Sequence, residues 1–238
     1  MTRTRYLMLA VGLVAAAGAF VSATDGEAAL DAPEGMVYVP AGAFIMGSDV
    51  GDTDESPQHL AVTDAYFIDK YEVSNAEYKE FDPKHTYKDG YDNHAVKVTW
   101  EQANAYAQWT GKRLPTEVEW EKAARGTDGR LYPWGDTYDH SFVAWDESYP
   151  RGGAPAKPGS PYGCLDMAGG AWEWVADWYQ PYAGNDVACD VYGERYKVIR
   201  GGSSFNGFAM MRTTHRYYLP PNTTGGYYTG FRCVKDIK

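Results

Sequence analysis

The segment DMAGGAWEWVADW, Asp166 to Trp178, places carboxylates at Asp166 and Glu173 on either side of a Gly169-Gly170 turn. Such a turn leaves backbone carbonyls that regular structure cannot all satisfy. Carboxylates and carbonyls are the hard oxygen donors that Ca²⁺ takes. The competing reading is a tight turn with Trp172 and Trp174 packed in the core. Elsewhere the spacing points away from chemistry. Ser203, in Gly202-Ser203-Ser204, lacks the G-x-S-x-G frame of a nucleophile elbow and reads as a turn. His59, His85, His94, His140 and His215 form no H-x-x-x-H pattern and have no C-x-x-C partner, so a closed zinc site is unsupported. Glu117, Glu119 and Glu121 read as first-turn carboxylates that complement a helix dipole and solvate a face.

Three helix starts can position these groups, each marked by a capping box: Ser74 with Glu77, Thr99 with Gln102, and Thr116 with Glu119. In each, a hydroxyl and a carboxyl or amide three residues on satisfy orphan backbone donors reciprocally. The second helix, about Trp100 to Thr110, carries Trp100, Ala103, Ala107 and either Thr110 or Tyr106 at helical spacing and stops at Gly111; the third runs from Glu117 to Arg125 and stops at Gly126. Before them, MVYVPAGAFIMGSD from Met36 predicts a β-hairpin or two short strands. Asp49 to Gln58 is a charged loop, and LAVTDAYFIDKYEV from Leu60 alternates like a strand. Beyond Gly126, turns alternate with short apolar pieces, and no helix is predicted. A single α+β domain rich in irregular loop is the economical reading.

The composition agrees. With 238 residues, 44% hydrophobic and 15% aromatic, the chain cannot be largely disordered, and its 26 glycines, 13 prolines, 8 tryptophans and 20 tyrosines favour a loop-heavy fold with a Trp/Tyr core. A net charge of -10 excludes a sequence-independent grip on nucleic acid, which needs a basic stripe. No glycine-rich phosphate loop is present. At the N-terminus, Arg3 and Arg5 precede an uncharged stretch, residues 6 to 23, that ends Val21-Ser22-Ala23. This is the pattern of an export signal, with an uncleaved membrane anchor as its rival. Residues 1–23 are thus expected as signal or anchor, 24–35 as polar linker and 36–238 as the domain, placed in the periplasm or secreted.

Seven segments then fall into order: MVYVPAGAFIMGSD (36 to 49), FIDKYEVSNAEYKEF (67 to 81), VTWEQANAYAQWTGKRLPTEVEWEKAARG (98 to 126), YPWGD (132 to 136), YGCLDMAGGAWEWVADWY (162 to 179), VIRGGSSF (198 to 205) and TGFRCV (229 to 234). Together they resemble the motif set of the formylglycine-generating enzyme, or sulfatase-modifying factor, family across nearly the whole mature chain. The resemblance implies that family's variant of the C-type lectin fold, α+β and low in regular secondary structure. It implies a calcium loop on Asp166, Gly169, Ala171 and Glu173, with Gly170 where the common pattern has Asn. It also assigns the Tyr-rich C-terminal region to a ligand or partner groove, which would hold Arg212, His215, Arg216, Tyr217, Tyr218, Tyr227 and Tyr228. Tyrosine and arginine suit that role because each joins a large planar surface to a polar tip.

The same resemblance argues against the family's best-known activity. Formylglycine generation uses Cu(I) held by two thiolates, soft ligands for a soft ion. Those cysteines lie between the GGS and GFR motifs, an interval that contains none here. No copper is expected. The cysteine that pairs with the GFRC cysteine in some members is Ala107 in this chain, so Cys233 lacks that mate. Cys164 could instead pair with Cys189, worth about 3 kcal/mol, or with Cys233. The implied function is a non-catalytic, calcium-stabilised accessory or binding domain for an extracytoplasmic protein or peptide, with membrane contact only through residues 1–23 if they are kept. Two alternatives stand beside it: a periplasmic oxidase or maturation enzyme using the same groove, and a lectin-like glycan binder.

Overall fold

A computed structural model describes residues 32–143, 150–151, 158–203, 205–224 and 228–237. The expected export signal, most of the expected linker and Tyr227 lie outside them. The expected strand-like start resolves into two strands that do not pair with each other. Strand β1 (Met36–Val39) pairs with β4 (Tyr66–Asp69), whereas β2 (Gly42–Met46) pairs with β3 (His59–Thr63). The break falls at Pro40, which cannot donate to a ladder. The alternation from Leu60 likewise splits into β3 and β4 rather than running as one strand.

The three helices begin where their caps predict. Helices α1 (Asn75–Phe81), α2 (Trp100–Trp109) and α3 (Glu117–Arg125) each carry a reciprocal capping box, on Ser74/Glu77, Thr99/Gln102 and Thr116/Glu119 respectively. Gly126 ends α3 with φ of 70°, a left-handed conformation that favours glycine. Of the face expected on α2, Ala103, Tyr106 and Ala107 are buried.

Downstream of Gly126 the described residues contain strands and short 3₁₀ turns. Strands β5 (Trp172–Trp178), β6 (Lys197–Arg200), β7 (Tyr217–Leu219) and β8 (Thr229–Gly230) form a sheet in the order β7-β6-β5-β8, in which β5 and β8 run parallel. Strand β9 (Val234–Asp236) completes the sheet β1-β4-β9.

Central strand β5 divides the core by its twofold alternation. Trp172 and Trp174 enter one apolar cluster with Tyr78, Val96 and Phe231, while Val175 enters another with Tyr66, Trp120 and Tyr179. Trp120, Trp172 and Trp174 are each at most 1% exposed, which places the tryptophans at the centre of the fold. Two of these rings also spend their polar handle, as buried indoles usually do: Trp174 Nε1 donates to Val98 O at 2.9 Å and Trp120 Nε1 to Glu173 Oε2 at 2.8 Å.

Candidate functional site

The turn from Asp166 to Ala171 delivers the chain into β5. Gly169 (φ 89°) and Gly170 (φ 69°) are left-handed, and Asp166 (φ 59°) is the one non-glycine with positive φ among the described residues. Aspartate tolerates that region better than most side chains. The turn is pinned from both sides: Leu165 N–H donates to Lys70 O at 2.8 Å and Gly169 N–H to Gly201 O at 2.9 Å. Glu173 follows it into a dry environment. Arg232 donates to it from Nε (Oε2, 2.6 Å) and from Nη2 (Oε1, 2.6 Å), and the remaining donors of Arg232 go to the carbonyls of Asp69, Lys70 and Leu165.

A third carboxylate, which the sequence did not single out, joins this turn. Glu72, between β4 and α1, is fully buried, and its Oε2 has no partner among the described residues. A β-carbon at Gly170 would stand 3.0 Å from Glu72 Oε1 and 3.8 Å from Asp166 Cβ. Burial, then the Asp166 and Glu173 carboxylates, push the Glu72 carboxyl well above the usual range, and Arg232 opposes them only in part.

Glu117 and Glu121 differ from the sequence expectation: they are core groups, not a solvated face. Arg200 bonds Glu117 Oε1 at 3.0 Å and Glu121 Oε2 at 2.5 Å, and Arg125 Nη1 bonds Glu121 Oε1 at 2.9 Å. Arg216 closes on Glu117 through Nε at 2.7 Å and Nη2 at 2.9 Å. It also donates to the carbonyls of Asp54 and Gln180. Arg125 is the i,i+4 neighbour of Glu121 on α3, but Arg200 and Arg216 arrive from β6 and from the segment before β7, so no local pattern on α3 shows them. Glu119 meets its expected capping role and also binds Arg113.

Arg212 and His215 belong to a separate cluster. Arg212 Nη2 donates to Glu55 Oε1 at 2.5 Å, and Thr214 Oγ1 donates to Glu55 Oε2 at 2.6 Å. His215 Nδ1 lies 3.1 Å from Asp52 Oδ2 and 3.6 Å from Glu55 Oε1. One potential ligand atom from each of Asp52, Glu55 and His215 fits within a 4.8 Å span. Burial would raise the Glu55 carboxyl, but hydrogen bonds from His215, Thr214 and Arg212 outweigh it and hold it down at about 2. Asp52 and Glu55 lay hidden in the charged loop, although their D-x-x-E spacing is itself a capping box around the 3₁₀ turn Thr53–Glu55.

The polar groups of the expected groove set therefore divide, Arg216 on Glu117 and Arg212 with His215 at the Asp52–Glu55 turn. An open groove of about 630 Å³ is lined by Met46, Glu117, Trp178, Tyr182, Lys197 and Arg216 among others. Of the described members of the expected set, Arg216 is the one in its lining. Lys197 Nζ sits 4.0 Å from the ring centre of Trp100 and 3.8 Å from that of Trp178, a cation held between two indoles. Tyr217 packs on Trp172 at 5.6 Å, Tyr218 on Tyr179 at 4.7 Å, and Tyr228 Oη donates to Ala95 O at 3.2 Å. Ser203 closes a turn on Asn206, as expected.

The expected Cys164–Cys189 disulfide is not formed, nor is its Cys164–Cys233 rival: all three thiols are free. Cys164 and Cys233 are buried in different clusters, whereas Cys189 is exposed. Burial pushes the Cys164 thiol up to about 11 and Cys233 well above its ordinary value.

Fold and site together define an α+β domain whose motifs meet as buried arginine–carboxylate pairs behind a glycine turn. Residues 22–237 match the sulfatase-modifying factor enzyme 1-like domain, and the chain belongs to that family. It is 28% identical over 282 residues to the formylglycine-generating enzyme of Bos taurus, covering 86% of this chain and 75% of that one. It is 32% identical over 241 residues to the serine/threonine-protein kinase pkn1 of Chlamydia caviae, covering 85% of this chain but only 38% of that protein's length. The solved structure of PvdO from Pseudomonas aeruginosa superposes with a TM-score of 0.68 at 25% identity, covering 85% of this chain and 94% of that one.

Proposed function

We propose that this chain is an exported, calcium-stabilised and non-catalytic member of its family, serving as a binding or accessory domain for an extracytoplasmic protein. The observation that carries the reading is the interval between the GGS and GFR motifs: it retains the scaffold but contains no cysteine. The polar groups expected there are engaged with the protein itself, Arg216 with Glu117 and Arg212 with Glu55. No helix among the described residues is long and apolar enough to cross a membrane, so any anchoring would fall to residues 1–23.

The donor set at the turn fits calcium. Asp166, Gly169, Ala171 and Glu173 would hold the ion with oxygen atoms only, and Glu173 Oε1, with one donor from Arg232, keeps a lone pair to offer. The unpartnered buried oxygen of Glu72 beside them marks a place short of positive charge. Calcium would supply that charge and tie the turn to β5.

Metal analysis and oxygen uptake test the reading together. The purified chain should hold calcium without stoichiometric copper or iron and should consume no O₂ with a cysteine-containing peptide. It should also be isolated from its source with a stoichiometric protein partner. Redox metal with O₂ uptake would sink the proposal.

One observation favours a second reading, an enzyme with a different centre. Asp52, Glu55 and His215 present nitrogen and oxygen donors in a single cluster, and bound iron or zinc lost on His215→Ala would support it.

A further inference from the structure

We infer that the open groove beside β5 receives an arginine side chain of the partner protein, held by Asp177 and Glu194 against the aromatic wall of Trp178 and Tyr182. The inference rests on the accessory reading above and adds to it the chemistry of the segment that is bound.

The groove already shows what its walls accept. Lys197, only 4% exposed, donates from Nζ to Ala176 O at 2.7 Å while lying between the indoles of Trp100 and Trp178. The Arg216 guanidinium lies 4.1 Å from the ring centre of Tyr182. Cations on aromatic faces are thus the recurring motif of this wall.

The carboxylates beside them are unequally matched. Glu117 is bonded by both Arg200 and Arg216. Asp177 accepts one bond, from the Glu117 N–H to Oδ2 at 2.7 Å, and the exposed Glu194 accepts none; neither has a cation at ion-pair distance among the described residues. Both face Lys197, yet burial still holds that amine below its ordinary range. Burial, then the Glu117 carboxylate, push the Asp177 carboxyl up, and Lys197 opposes them only in part. A half-buried acid and an exposed one therefore line the groove with oxygen atoms to spare, a complement to an incoming positive charge.

A guanidinium fits this place better than an ammonium. It is planar and weakly hydrated, it offers paired donors to carboxylate oxygens, and it lies flat on aromatic rings. Met46 and Val118, which also line the groove, suit the methylene stem. The groove's volume of about 630 Å³ leaves room for residues on either side of the arginine, as a peptide segment requires.

The probe is a capped tripeptide with a central arginine, titrated into the purified chain while tryptophan emission is followed. It should bind about tenfold more tightly than the citrulline tripeptide, which keeps the shape and loses the charge, and more tightly than the lysine one. Glu194→Gln, at the exposed rim, should weaken the arginine tripeptide about threefold without moving the melting temperature. Asp177→Asn, which keeps an acceptor for the Glu117 N–H, should weaken it about tenfold. Citrulline or lysine binding as tightly as arginine, no saturable binding, or wild-type affinity in both variants would overturn the inference. So would an emission change that survives Trp178→Phe in full. The partner isolated from the source separates the two readings. A stoichiometric partner that stays on the double variant Asp177→Asn, Glu194→Gln overturns the groove inference and leaves the accessory reading standing. No partner at all sinks the accessory reading, and the tripeptide titration then decides the groove by itself.

Discussion

Glu173 and Arg232 meet fork to fork, Nε on one carboxylate oxygen and Nη2 on the other, both at 2.6 Å and neither side chain exposed. This pair joins the W-E-W motif on β5 to the G-F-R motif before β9. It makes Glu173 a structural anchor as well as the expected metal ligand. Removing one partner of such a pair leaves a buried charge unanswered, which costs about 3–5 kcal/mol. Arg232→Met should therefore lose stability on that scale by urea denaturation. Arg232→Lys should recover only a part, since an ammonium cannot match two oxygens and three carbonyls at once. A loss under about 1 kcal/mol, the range of an exposed pair, would contradict the geometry.

Glu55 makes stability depend on acid. Its folded pKa, about 2, lies below its ordinary value of 4.5 because bonds from His215, Thr214 and Arg212 outweigh burial. A depressed carboxylate contributes fully above its unfolded pKa and loses that contribution as pH falls through the folded one. The window therefore runs from about 4.5 down to about 2, and the contribution at neutral pH is up to about 3 kcal/mol. Glu55→Gln should show a deficit that is steady above the window and closes within it. A deficit as large at pH 2.5 as at pH 7 would show that Glu55 acts through packing instead.

Local chemistry was legible in the sequence and distant pairing was not. Ser74, Thr99 and Thr116 each declare a helix start because both halves of a capping box lie within four residues. Gly126 declares a stop for a similar local reason. By contrast, Glu117 and Glu121 on α3 look like any acidic first turn until Arg200 and Arg216 arrive from about 80 to 100 residues away. Glu72 and Glu55 were missed for the same reason, since burial of a lone acid is a property of what folds over it. The motif order carried the family but not the neighbours of its tyrosines, since Tyr217 meets Trp172 and Tyr218 meets Tyr179 only once distant strands pair.

The cysteines differ in reactivity enough to be counted. Reaction requires thiolate, and burial holds Cys164 and Cys233 protonated and out of reach. A thiol reagent added to the native chain at pH 8 should label Cys189 quickly and alone. All three should react after denaturation. Native labelling at Cys164 or Cys233, or loss of their free thiols in the oxidised protein, would contradict their buried, unpaired state.

Arg216 provides the sharpest separation between a ligand-binding groove and a structural frame. It lines the groove, but Nε and Nη2 are given to Glu117, and its guanidinium also lies 4.1 Å from the Tyr182 ring centre. Glu117 is shared with Arg200, so losing Arg216 leaves one carboxylate half-compensated in the core. Arg216→Ala should then lower stability by about 3–5 kcal/mol, a drop of roughly 10 °C in melting temperature for a chain of this size. The double variant Glu117→Gln, Arg216→Ala should lose less than the two single losses combined, because residues of one network couple. A residue exposed for ligand capture would instead give a fold of wild-type stability with weakened binding, and strictly additive losses would show that the pair does not act as one unit.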